Sequence, residues 1–93
     1  MRTIWKYDLP NALDSGKDKI SLPCGAKPLH VEMQNDAPRI WIEVSDPDQP
    51  CTDDWLFFTV GTGHELPENA IYHVGTLLLN RLVCHVYTNR EAV

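Results

Sequence analysis

The chain predicts an all-β fold: a small antiparallel sandwich, or a partly open barrel, of about seven short strands. Three observations carry this expectation. Residues 29–44 alternate apolar and polar with period two, the repeat of a half-buried strand. Turn residues recur about every 8–14 positions, and the 93 residues include seven prolines and five glycines. No segment holds a convincing apolar stripe at helical spacing. Ninety-three residues make one domain, so 1–93 is read as a single β unit.

The elements follow in chain order. Residues 4–9 read as a strand with Trp5 and Tyr7 on one face and Ile4, Lys6 and Asp8 on the other. One of Trp5 and Tyr7 is expected in the core. Residues 10–18 are a polar loop, and 19–22 a short strand ended by Pro23-Cys24-Gly25. In the hairpin at 29–44, Leu29, Val31, Met33, Ile40, Ile42 and Val44 face the core. His30, Glu32, Gln34, Arg39, Trp41 and Glu43 face out. A four-residue turn, Asn35-Asp36-Ala37-Pro38, sets Gln34 opposite Arg39, Glu32 opposite Trp41 and His30 opposite Glu43.

Residues 45–54 form an acidic loop broken by Pro47 and Pro50. Residues 55–60 are apolar on both faces, as a strand covered on both sides would be, which places them centrally. A loop at 61–69 precedes a last hairpin, 71–79 and 82–88, turning at Asn80-Arg81. Leu77-Leu78-Leu79 would tolerate helix, but Tyr72, Val74, Gly75 and Thr76 favour strand. In this hairpin Cys84 faces Leu77 and shares its side with Leu79, Leu82 and Val86. His85 faces Thr76 on the mixed side with Leu78, Val83 and Tyr87. Residues 89–93 are expected to fray.

Charge narrows the partners. The net charge of −5 and the scatter of Lys and Arg argue against a direct grip on nucleic acid. No apolar run is long enough to span a membrane, and the first residues lack the apolar core of a secretory signal. Three cysteines preclude a complete intramolecular disulfide set, and no CxxC pair occurs, which fits a reducing compartment. A cytoplasmic protein is expected.

The search for catalytic chemistry finds no constellation. Gly61-Thr62-Gly63-His64 follows a strand, where a phosphate loop would sit. It lacks the Lys-Ser/Thr ending of a P-loop, and Leu66 stands where the dinucleotide fingerprint needs its last glycine. His64-Glu65 begins like a zinc-protease motif, but Glu68 occupies the second histidine's place and Pro67 precedes it. Cys84 and His85 are neighbours in a strand and point to opposite faces, so they cannot act as a nucleophile and its base. No enzyme, cofactor or metal site is expected.

Four features occur together and in order: Thr3-Ile4-Trp5-Lys6-Tyr7, Leu22-Pro23 with Gly25-Ala26, Gly61-Thr62-Gly63-His64 with Pro67, and Tyr72 with Gly75-Thr76. In this order they resemble a family of short proteins encoded by tailed bacteriophages and prophages, over nearly the whole chain. The resemblance brings no catalytic residues. It implies a phage accessory protein in the bacterial cytoplasm, of a size that often binds and blocks a host factor or defence complex.

The expected function is therefore non-enzymatic protein binding to a host protein or complex. The candidate surface is the outer face of the hairpin: His30, Glu32, Arg39, Trp41 and Glu43. The alternative is a small-ligand binder that sequesters a nucleotide-like signal. There Gly61, Thr62, Gly63 and His64 would donate hydrogen bonds across the interface of a homodimer. A virion accessory is a further alternative.

Overall fold

The computed structural model describes residues 1–91. It contains β1 (Thr3–Asp8), β2 (Lys17–Pro23), β3 (Lys27–Gln34), β4 (Ala37–Val44), β5 (Thr52–Gly61), β6 (Tyr72–Leu79) and β7 (Leu82–Thr88), and no helix among the described residues. The strands form two antiparallel sheets, one ordered β1-β4-β3 and the other β2-β5-β7-β6. The sheets stack as a sandwich and do not close into a barrel. The central placement of β5 follows, since β2 and β7 flank it.

Alternation builds the core. Ile40, Ile42 and Val44 of β4 are fully buried, against Trp55 and Phe57 of β5, Leu77 and Leu79 of β6, and Cys84 and Val86 of β7. Burying such a side chain contributes about 1.5–3 kcal/mol. The sheets come closest where β3 meets β6. A Cβ on Gly75 would lie 2.7 Å from Val31 Cγ2. Gly16 is fixed differently: its φ is +73°, and a Cβ there would meet the Thr59 carbonyl oxygen at 2.7 Å.

Several expectations need correction. The first hairpin turns on two residues, not four. Asn35 and Asp36 both take positive φ, the geometry of a type I′ turn, and Gln34 pairs with Ala37. Arg39 therefore opposes Glu32, Trp41 opposes His30 and Glu43 opposes Lys27. A bulge between Pro28 and His30 throws Leu29 out of the core, leaving it exposed. Leu82 also leaves the core: it follows the Asn80-Arg81 turn and is exposed, while Leu79 opposite it stays buried. β5 begins at Thr52, so residues 52–54 belong to the ladder.

The tail is anchored rather than frayed at its start. The Asn89 side-chain oxygen accepts from Leu56 N–H at 3.0 Å, and Arg90 pairs with Asp53 at 3.2 Å and lies over the Trp55 ring. The expectation for residues 92 and 93 falls outside the described residues.

Cys24 and Cys51 are bridged, which overturns the thiol reading of the cysteines. The strand register explains the pair. Pro23 opposes Thr52 at the end of the β2–β5 ladder, and the next step brings Cys24 opposite Cys51, with Cys24 N–H donating to the Cys51 carbonyl at 3.0 Å. Cys84 is the buried free thiol expected, and burial raises its pKa.

Candidate functional site

Three surfaces carry the side chains with functional potential. The first is the outer face of β1-β4-β3. Trp41 lies half-buried at its centre, between Lys6 of β1 and His30 of β3, with the indole 5.8 Å from the His30 ring. Trp5 and Tyr7 of β1 lie on the other face of the sheet. They oppose Ile42 and Ile40 on the inner side, where Tyr7 packs on the core and burial raises its pKa.

The outer face is largely self-satisfied. Arg39 pairs with Asp8, Lys6 donates to the Gln34 amide oxygen at 2.6 Å, and His30 meets Glu32 at 3.5 Å. All five predicted residues share this face, as the alternation requires. Of the five, His30 pairs with Glu32 and Arg39 with Asp8, while Glu43 opposes Lys27 and forms no ion pair among the described residues.

The second surface surrounds the Gly61–His64 turn. Thr62 N–H donates to the Val83 carbonyl and His64 N–H to the Gly61 carbonyl, both at 3.1 Å. Two backbone donors a phosphate would need are thus spent on the turn itself. The Thr62 hydroxyl also donates to the Val83 carbonyl, so it accepts from His85 Nε2 at 2.8 Å. His85 Nδ1 then accepts a hydrogen bond from the Thr76 hydroxyl, 3.1 Å away, and the Thr76 oxygen accepts from His73 Nε2 at 3.2 Å. The His73 ring packs edge-on against Tyr87. The network joins the turn that follows β5 to β6 and β7 on the outside of the sheet. No cluster of three or more metal-ligating side chains occurs among the described residues.

The third surface was not foreseen. Residues 9–16 and 62–71 flank a cleft of about 820 Å³ at one end of β2-β5-β7-β6. Phe58, Val60, Leu82, Val83, Leu13 and Pro67 line it. Phe58 points to the outer side of the sheet, opposite Lys17 and Tyr87, yet is buried there. Leu13, Leu82 and Val83 line the cleft, Leu66 lies beside it, and Leu78 opposes Val83. These five are between 43% and 62% exposed. Lys17 and Arg81 also line the cleft, and neither forms an ion pair among the described residues.

A family model described as "Domain of unknown function (DUF7352)" matches residues 1–93. The chain belongs to the DUF7352 family. No curated protein and no solved structure matches it. The site of this DUF7352 domain is therefore read from its own chemistry. Sequence alternation marked Leu78 and Val83 as lying outside the core. The signal for Leu13 and Leu66 was equally present, a large apolar residue inside each of two polar loops. What alternation lacked was the fold that sets both loops beside one strand end.

Proposed function

We propose that this domain is a non-enzymatic binding protein that docks a protein partner in the cleft beside β7. The observation that supports this reading is the concentration of exposed apolar side chains there. Leu13, Leu82 and Val83 line the concavity, Leu66 lies beside it, and Leu78 opposes Val83 in the β6–β7 ladder. Exposed apolar area of this kind is costly in water and is typical of interaction surfaces. The matching partner presents an apolar segment. Unpaired Lys17 and Arg81, with Asp14 and Glu65 also in the lining, supply a charged rim. The motif order resembling tailed-phage proteins suggests a host or host-defence factor as that partner.

The hairpin face is the second reading, supported by the half-buried Trp41 at its centre. Capture of partners by wild type, Leu82→Asp and Trp41→Ala, followed by titration of the purified partner, tests the two. Loss of binding with Leu82→Asp alone supports the cleft. Loss with Trp41→Ala alone moves the site to the hairpin, and full retention in both variants defeats both readings. A thermal shift with nucleotide-like ligands but with no protein partner would favour the small-ligand alternative.

A further inference from the structure

The sandwich has four lateral strand edges, and they are treated differently. β3 and β6 close one side by packing together at Val31 and Gly75. β2 is blunted: Pro23 carries no N–H, and the Lys17 carbonyl accepts from Asn11 Nδ2 at 3.2 Å and Ser15 Oγ at 3.4 Å. β1 has no such cover. Among the described residues, no hydrogen bond from outside the β1–β4 ladder reaches its backbone. Ile4 is 56% exposed, and Trp5 is 37% exposed although it points to the inner side.

The register identifies which groups are free. Leu9 N–H donates to the Pro38 carbonyl at 3.1 Å and continues the β1–β4 register. In an antiparallel ladder, bonded and non-bonded pairs alternate. Thr3, Trp5 and Tyr7 therefore bond to β4, and Ile4, Lys6 and Asp8 turn their N–H and C=O groups to solvent.

We propose that this edge pairs with the same edge of a second copy, antiparallel, about a two-fold axis at Trp5. Each candidate register has a chemical signature. An axis at Lys6 opposes two lysines, and an axis at Ile4 opposes Arg2 to Lys6, both like-charge contacts. An axis at Tyr7 runs the pairing into Pro10, which has no N–H. The axis at Trp5 avoids these faults. It joins the free groups of Ile4 to those of Lys6 of the partner subunit, and the reverse, in four hydrogen bonds. It sets Arg2 opposite Asp8 of the partner subunit at both ends; within each copy the Asp8 carboxylate pairs with Arg39 yet is 64% exposed, which leaves room for a second cation. It also brings the two half-exposed Trp5 rings together on the inner side, at a non-bonded position where Cα atoms approach to about 4.5 Å. The three-stranded sheet becomes a continuous six-stranded one. An interface of one strand per copy is small, so the dimer is concentration-dependent rather than permanent. The cleft beside β7 plays no part in it.

Light scattering across a concentration series, on protein with a native N-terminus, tests this. The expected result is a monomer–dimer equilibrium. Ile4→Pro removes an outward N–H and spares the β1–β4 ladder; it raises the dimer dissociation constant about tenfold or more. Arg2→Glu lies before the strand, keeps the fold, and weakens the dimer in the same direction. Mild oxidation crosslinks Trp5→Cys but not Lys6→Cys, because only residue 5 meets itself across the axis. A monomer at every concentration overturns the proposal. So does a dimer whose affinity Arg2→Glu leaves unchanged, or one that crosslinks through Lys6→Cys and not Trp5→Cys.

Discussion

Gly75 and Val31 meet where the two sheets approach most closely, with no room for a methyl group between them. Gly75 does not take positive φ, so alanine is allowed there by backbone conformation and excluded only by this contact. Gly75→Ala should destabilise the fold by roughly 1–3 kcal/mol through overpacking. In a Val31→Ala background the same substitution should cost about 1 kcal/mol less. Urea denaturation of the four proteins in the cycle measures the coupling. Independent, additive costs would show that the contact is not what requires glycine.

The Cys24–Cys51 bridge ties the β2–β3 connection to the β4–β5 connection across 27 residues. Removing it by Cys24→Ser with Cys51→Ser should lower stability by about 2–4 kcal/mol. Both residues sit one step beyond the β2–β5 ladder, so the folded secondary structure should persist. Thermal melts with and without reductant, compared with the double variant, check this. A reductant effect that survives in the double variant would refute the assignment.

Asp18 is buried near the end of the sandwich. Its Oδ1 accepts from Asn11 N–H at 3.1 Å, while Oδ2 has no partner. Desolvation raises its pKa, and the Asn11 hydrogen bonds oppose that shift only in part. A raised carboxyl pKa means the native state holds the proton more tightly than the unfolded chain. This group's contribution therefore falls as pH rises from the ordinary aspartate value through the raised one. Asp18→Asn should therefore gain stability relative to wild type as pH rises from the ordinary aspartate range toward neutrality. A difference that shrinks with rising pH would contradict the sign.

The network at the Gly61–His64 turn ties the tautomers of His85 and His73 to the direction of the Thr62 hydroxyl. With the Thr62 hydroxyl donating to Val83, a neutral His85 carries its proton on Nε2, and so does a neutral His73. Nitrogen-15 chemical shifts of the two imidazoles distinguish the forms directly. Thr62→Val should release the His85 preference while leaving the strands intact. A proton on Nδ1 of His85 in the wild-type protein would reverse the chain of donors.

The outer hairpin face makes a stability prediction as well as a binding one. Trp41 is half-buried among paired side chains and lies outside the apolar core. Trp41→Ala should cost roughly 1 kcal/mol, well below the roughly 3–5 kcal/mol of a core aromatic such as Phe57. Chemical denaturation of the two alanine variants makes the comparison. Equal losses would mean that Trp41 is a structural anchor.

The sequence determined the all-β class, the seven strands and the inner faces of most of them. These depend on local alternation, which sets whether neighbouring side chains share a face. It also determined that Cys84 and His85 part company, and that Trp41 shares an outer face with His30, Glu32, Arg39 and Glu43. The tertiary structure decided what depends on distant segments meeting. The two-residue turn moved every pair in the first hairpin, because register follows turn geometry rather than hydrophobic pattern alone. Pairing of β2 with β5 brought Cys24 to Cys51. Folding of two polar loops beside β7 gathered Leu13, Leu66 and Leu82 into one surface, although their separation in sequence gave no sign of it.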